Sequence, residues 1–282
     1  MYTLREIKDR FKNNDPMVIA IMGNSIGCGF RADNSYSPNP YNSEPFGLLA
    51  VGIGTDTDNR VTVSGQHDTR VQSWAIQLYE LLQSKNPASS IHNVSINGGH
   101  MEVHSGSTLN SVDLLQSREP QPDAVILPLQ INEALIGGGI YWKSEAVVLI
   151  NQILDAGWLP ILMKENDLYD PAALNRSGFY EIISAVDEIA DIYGLGVIDA
   201  FTPFKKALDA VDRSWEASEL FWDNLHPNQA GHDLLFESVY GWLQLNEVKR
   251  VVSKNGSNVK EINTTIKING EHRSIDSIRV KR

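Results

Sequence analysis

A serine hydroxyl, an imidazole and a carboxylate can together cleave an ester, and the chain carries candidates for each at informative spacings. Ser25 lies in Gly23-Asn24-Ser25-Ile26-Gly27, directly after the apolar run Met17 to Met22. The small residues beside it let the backbone bend tightly and present the hydroxyl at a strand's end. A serine alone is a poor nucleophile; it needs a base, a group that orients the base, and donors for the oxyanion. His226 stands in Phe221-Trp222-Asp223-Asn224-Leu225-His226-Pro227. A spacing of three in a loop lets the Asp223 carboxylate hold one ring nitrogen while the other faces Ser25. Pro227 confines His226 to extended backbone. Read alone, this stretch is equally a helix cap with an incidental histidine. Gly98, in Asn97-Gly98-Gly99, can offer a backbone N–H where a side chain would obstruct a substrate, and Asn132, in Gln130-Ile131-Asn132-Glu133, can offer its side-chain amide. An oxyanion donor is typically worth about 3 kcal/mol of transition-state stabilisation. Each of the two also reads, singly, as an ordinary turn residue.

The elements that must position these groups follow from periodicity. Met17 to Met22 has the continuous apolar pattern of a central strand. Thr3 to Phe11 reads as a short amphipathic helix and Val71 to Gln83, with Trp74, Ile76, Leu78, Leu81 and Leu82, as a helix packed on a sheet. Strands follow at Ile91 to Ile96, Ala124 to Leu129, Trp158 to Met163 and Gly196 to Ile198, separated by helices at Lys143 to Asp155 and Gly178 to Tyr193. A last helix runs from Pro227, in its first turn, to Leu243. This alternation predicts an α/β fold, a three-layer α/β/α sandwich with a mostly parallel sheet. The Ser25, Gly98 and Asn132 clusters all follow strands and so should meet along one sheet edge, where open sheets place their ligands.

Composition bounds the rest. At 282 residues and 42% hydrophobic the chain can bury one substantial core and a small appendage. The charged N-terminus, MYTLREIKDRFKNND, argues against a signal peptide, and no apolar stretch is long enough to span a bilayer. The expectation is a soluble protein without membrane insertion, either cytoplasmic or part of a virion or surface assembly. A net charge of −11 argues against a nucleic-acid partner. The single cysteine, Cys28, cannot form an internal disulfide and reads as a small turn residue. His100 and His104 can share a helical face with Glu102 between them, but the order is not His-Glu-x-x-His and no third ligand presents itself. Gly52 and Gly54 lack the spacing of a dinucleotide or phosphate loop. Neither a metal nor another cofactor is expected. His67, His92, His232 and His272 read as surface or packing residues.

From Glu247 onward there are nine Lys or Arg against four Asp or Glu, which places a boundary near Leu245 and divides the chain into a body, 1–245, and a basic tail, 246–282. Thr264 to Ile268, Asn269-Gly270 and a β-prone run through Ile275, Ile278 and Val280 form a hairpin signal. An isolated hairpin is marginal in water, so the tail should pack on the body, on another copy in an oligomer, or within a larger assembly. Phe30 to Gly65, rich in Asn, Ser, Pro and Gly, is long enough to be a lid or binding loop. Its Tyr36, Tyr41 and Phe46 either stack on a sugar, cover an acyl group, or pin the loop to the body.

Together the blocks GNSIGCG, NVSINGG, LQINEA and DNLHPNQAGH resemble, in order, the four blocks of the SGNH, or GDSL-like, hydrolases. The resemblance covers residues 17 to 244, and its last block is the most specific. It implies Ser25 as nucleophile, Ser25 N–H, Gly98 and Asn132 as the oxyanion hole, and Asp223 and His226 completing a triad, without a cofactor. Two positions depart from the family pattern. Asn24 stands where the family usually has Asp, and Gln130 to Glu133 where it usually has Gly-x-Asn-Asp; these bear on local geometry and substrate range. Gly-x-Ser-x-Gly is also the nucleophile elbow of α/β-hydrolases, but that fold places the elbow later and separates its acid from its histidine. Asn24, Tyr36, Tyr41, Glu133 and Trp222, which flank or face the four blocks, are the candidates to touch substrate. The family spans lipases, thioesterases and carbohydrate deacetylases. The polar loop, with Trp215 and Trp222, favours an acyl-enzyme esterase acting on O-acetyl groups of a glycan or smaller acylated molecule. The alternatives are a lipase or thioesterase of the same fold, and a non-catalytic glycan-binding or assembly module such as a phage tail or cell-surface component.

Overall fold

Val18, Ile19, Ala20 and Ile21 are all buried, which for a four-residue strand means cover on both faces. This strand, β1 (Val18–Ile21), is joined by β2 (Ser90–Asn93), β3 (Ala124–Leu127), β4 (Leu159–Lys164) and β5 (Gly196–Asp199). The computed structural model describes residues 1–27, 73–95, 99–106, 110–168, 176–212, 219–221, 225–245, 265–268 and 271–274. The strands lie in the order β2-β1-β3-β4-β5, and every neighbouring pair is parallel. Ile19 registers with Ile91 on one side and Ala124 on the other. The chain steps from β1 outward to β2 and then crosses back to β3, so the direction of winding reverses between β1 and β3. Open parallel sheets place their ligands at such a switch point, beyond the strands' C-terminal ends.

Nine helices surround the sheet among the described residues: α1 (Leu4–Asn13), α2 (Trp74–Lys85), α3 (Met101–Ser105), α4 (Ser111–Gln116), α5 (Ile131–Ile136), α6 (Gly138–Asp155), α7 (Arg176–Tyr193), α8 (Phe201–Asp209) and α9 (Gln229–Gln244). α1, α2 and α8 pack against α9, whereas α3, α5 and α7 pack against α6. Right-handed crossovers require this division, because connections leading to opposite edges of a parallel sheet fall on opposite faces. The result is the three-layer sandwich that the alternation predicts. Trp74 of α2 and Trp142 of α6 are among the largest fully buried side chains. The Trp142 indole N–H donates to the Leu129 carbonyl at 2.6 Å, tying α6 to the exit of β3. Truncating such a residue typically costs about 3–5 kcal/mol.

The opposite end of the sheet is fastened by Asp123. Its carboxylate accepts from the Val18 N–H at 2.8 Å and pairs with the Arg10 guanidinium at 2.9 Å, joining α1, β1 and the start of β3.

Several elements differ from their expected bounds. α9 begins at Gln229 rather than Pro227; Pro227 forms an antiparallel bridge with Phe221, and the Asn228 side chain accepts from the Gly231 N–H at 3.1 Å as the cap. α3, α4, α5 and α8 have no counterpart in the periodicity, being short or polar. α6 begins five residues before Lys143.

The chain divides into two compact units, Met1–Gln244 and Leu245–Arg282. In the second, β6 (Thr265–Ile268) and β7 (Glu271–Ser274) pair antiparallel with Ile268 opposite Glu271, so that Asn269-Gly270 is the two-residue connection. β7 thus precedes the run through Ile275, Ile278 and Val280, which lies outside the described residues. Among the described residues no helix is long and apolar enough to cross a membrane.

Candidate active site

β1 ends at Ile21, and the chain turns through Asn24 to Gly27 at the switch point between β1 and β3. Two close approaches set this turn. A Cβ on Gly23 would lie 2.8 Å from the Pro128 ring, and one on Gly27 would lie 2.5 Å from the Ser95 hydroxyl. Space, rather than positive φ, excludes side chains there. Four further contacts hold the turn. The Asn24 side-chain oxygen accepts from the Ile26 N–H at 2.9 Å, an Asx turn around Ser25. The Asn24 amide donates to Glu165 Oε1 at 2.7 Å, the Asn93 amide donates to the Gly27 carbonyl at 2.9 Å, and His104 Nε2 donates to the Gly23 carbonyl at 3.0 Å. Since a carbonyl only accepts, His104 carries its proton on Nε2, and its Nδ1 accepts from the Ser111 hydroxyl at 2.7 Å. Both ring nitrogens of His104 are therefore occupied within the protein, which removes it as a ligand in the His100/Glu102/His104 arrangement.

Ser25 is 7% exposed, and its hydroxyl lies 3.2 Å from Nε2 of half-buried His226. These residues are 201 positions apart, and α9 closes the gap. A Cβ on Gly231, in the first turn of α9, would lie 2.6 Å from Pro227 Cβ and closer still to the Leu220 carbonyl oxygen. Glycine there lets the bridged Phe221–Pro227 loop lie against the helix. His232, the next residue, is fully buried, and its Nδ1 faces the Trp74 N–H at 3.5 Å. The Gly-His pair of the last sequence block thus anchors the loop that bears His226. Asn166, after β4, reaches the same loop through a 3.3 Å hydrogen bond to the Leu225 carbonyl. A serine hydroxyl within hydrogen-bond reach of an imidazole can pass its proton to the ring as it attacks a carbonyl.

Asn132 sits in the first turn of α5, directly beyond β3, and is partly exposed. Its amide nitrogen donates to the Gly99 carbonyl at 2.8 Å, which brings the loops after β2 and β3 together and uses one of that nitrogen's two protons. Gly98, Asp223, Trp222, Tyr36, Tyr41, Phe46, Trp215 and Cys28 lie outside the described residues.

Asn24 and Glu133 depart from the expectation that they touch substrate, because both are enclosed: Asn24 is 1% and Glu133 0% exposed. Glu133 Oε1 accepts from the Met101 N–H at 2.9 Å, linking α5 to the start of α3. Burial, reinforced by the nearby Glu165 charge, pushes the Glu133 carboxyl up to about 8 against the opposing pull of its backbone hydrogen bonds. Glu165, the first residue after β4, is also fully buried. Burial pushes it up to about 7, and the donors that face it, Gln130 N–H, Asn24 and Ile131 N–H, act in the opposite direction. Glu165, Asn166 and His104 are supports that sequence reasoning misses. The one signal was position, since Lys164-Glu165-Asn166-Asp167 follows a strand on the edge that carries Ser25 and Asn132.

No protein-family model and no curated protein matches the sequence. Solved structures do match. LAE5, described as an α/β hydrolase enzyme from the metagenome of Lake Arreo, Spain, superposes with a TM-score of 0.56 at 17% identity, over 83% of this chain and 100% of that one. Axe2, an acetylxylan esterase from Geobacillus stearothermophilus, superposes as a catalytic mutant with a TM-score of 0.55 at 16% identity, over 82% of this chain and 95% of its own. A protein of Parabacteroides merdae named as a GDSL-like lipase gives 0.55 at 16% identity, over 81% and 94%. With a parallel β2-β1-β3-β4-β5 sheet and the Ser25 turn at its switch point, the chain has the fold of the SGNH, or GDSL-like, hydrolases.

Proposed function

We propose that the protein is a serine esterase that removes acyl groups, O-acetyl groups foremost, from a carbohydrate. The observation that carries this reading is the 3.2 Å approach of the Ser25 hydroxyl to His226 Nε2 at the switch point of the sheet. In the proposed reaction Ser25 Oγ attacks the ester carbonyl while His226 Nε2 takes its proton. The Asp223 carboxylate orients the ring and stabilises the imidazolium. The negative charge that develops on the carbonyl oxygen is met by the Ser25 and Gly98 N–H groups and the Asn132 amide. His226 then protonates the departing sugar hydroxyl. Water, deprotonated by the same ring, attacks the acyl-enzyme and releases the acid together with free Ser25. The carbohydrate preference rests on the polar composition of residues 30–65 and is in keeping with the acetylxylan esterase among the structures of the same fold.

The test is acetate release from p-nitrophenyl acetate and from a panel of acetylated glycans, with Ser25→Ala and His226→Ala beside the parent. Either substitution should lower kcat on the order of 10⁴-fold or more while the far-UV spectrum and Tm stay near parental values. Full activity in Ser25→Ala would sink the mechanism. A folded parent that cleaves none of these esters would instead be a binding or assembly module.

A further inference from the structure

Both departures from the usual family pattern converge on one side chain. Asn24, where the family usually has Asp, donates to Glu165 Oε1 at 2.7 Å. Gln130, where it usually has Gly, makes a reciprocal pair with Glu165. The Gln130 N–H donates to Glu165 Oε2 at 2.9 Å, and the Gln130 side-chain oxygen accepts from the Glu165 N–H at 2.9 Å. The Ile131 N–H donates to the same Oε2 at 3.2 Å. One fully buried carboxylate therefore binds the residue before Ser25 and the two residues before Asn132, and Asn166, its neighbour, reaches the residue before His226.

We infer that Glu165 is a positioning residue for catalysis, which holds the nucleophile turn and the oxyanion loop in mutual register and whose partner at position 24 must be a donor. This rests on the esterase reading above. An aspartate at position 24 could still accept from the Ile26 N–H but would set a carboxylate against Glu165. Asparagine is the residue that both accepts from Ile26 and donates to Glu165. The unusual Asn24 and the buried Glu165 are thus two halves of one device, and exchanging their chemistries should preserve it.

The experiment compares the parent, Glu165→Gln, Asn24→Asp and the double exchange N24D/E165Q. In E165Q the introduced amide keeps its oxygen for the Gln130 and Ile131 N–H groups and turns its NH₂ against the Asn24 NH₂. In N24D two carboxyl groups oppose one another and either repel or share a proton, and in neither state does position 24 donate to an ionised Glu165. In the double variant the introduced amide donates to the introduced carboxylate, which still accepts from Ile26. Two rates are measured: kcat and KM on p-nitrophenyl acetate, and the labelling of Ser25 by a fluorophosphonate, which reports activation of the hydroxyl without glycan recognition. Each single variant should lose about 10- to 100-fold in kcat and in labelling rate, the scale of one hydrogen bond to a charged group. KM should stay within about threefold, and the double variant should return to within about fivefold of the parent. A purely structural role would lower the yield or Tm but leave kcat of the folded fraction unchanged. Singles at parental rates, or a double variant as slow as the product of the two singles, would overturn the proposal. Should E165Q not fold, the double variant decides alone: folded and active supports the pairing, unfolded or inactive refutes it. An inert parent, with Ser25→Ala indistinguishable from it, would refute the esterase reading and this proposal with it; an active parent with unaffected singles would refute this proposal only.

Discussion

Replacing Glu133 by glutamine should flatten the fall of stability with pH. The carboxyl is fully enclosed, Oε1 accepts from the Met101 N–H at 2.9 Å, and Oε2 has no hydrogen-bond partner among the described residues. Its pKa rises from 4.5 to about 8, through burial first and the Glu165 charge second. Between pH 5.5 and 7.5 the folded protein therefore keeps a proton that the unfolded chain has released. With more protons bound in the native state, the unfolding free energy declines with pH by about 1.4 kcal/mol per unit for this group, or about 3 kcal/mol over the interval. The contribution is fully present below 4.5 and is lost as pH rises through 8. Glutamine keeps the acceptor for Met101 and has no proton to lose. Urea unfolding at half-unit steps from pH 5.5 to 8.5 should show the free energy of E133Q, relative to the parent, climbing by about 3 kcal/mol up to pH 7.5 and levelling above 8. His92 and His100, whose pKa values burial lowers, slope the other way at acidic pH, but they are common to both proteins and cancel. A constant difference across the range would mean that Glu133 does not titrate as its enclosure requires.

Asn132→Ala should reduce kcat on p-nitrophenyl acetate about 10²- to 10³-fold with little change in KM, as loss of an oxyanion donor does; steady-state kinetics reads this, and an unchanged kcat would remove Asn132 from the oxyanion hole. Gly231→Ala should destabilise by about 1–3 kcal/mol in urea and lower kcat in the folded protein, because its Cβ would press on Pro227, next to His226, and on the Leu220 carbonyl. Parental stability in that variant would show that the loop relaxes freely.

What could be read from the chain was whatever local pattern enforces. The sheet is legible because short apolar runs such as Met17 to Met22, bounded by Asp-Pro and Gly, fit buried strands between helical segments, and the approach of Ser25 to His226 because their blocks carry dense local constraint: close-packed glycines around the serine, and a Pro, an Asn cap and a Gly after the histidine. Gln130 to Glu133 looked like a loop, since its polar residues hide the start of α5, and only the fold shows Glu133 turned inward. Pro203 obscures the helical pattern of α8 in the sequence, although at the third helical position proline removes no intrahelical donor. Glu165 was illegible for a deeper reason. A carboxylate in Lys-Glu-Asn-Asp is ordinarily solvated, and its burial depends on three donors from segments 34 to 141 positions away.

The 201-residue separation of Ser25 and His226 bears on how the protein is made. During synthesis the serine turn emerges directly after β1 and its histidine only after β5. Four of the five strands, β2 to β5, lie between them, so no nascent fragment that ends before the loop bearing His226 holds the pair. The approach of Ser25 to His226 is thereby withheld until the body is closed, and it marks completion of the fold rather than any step along the way.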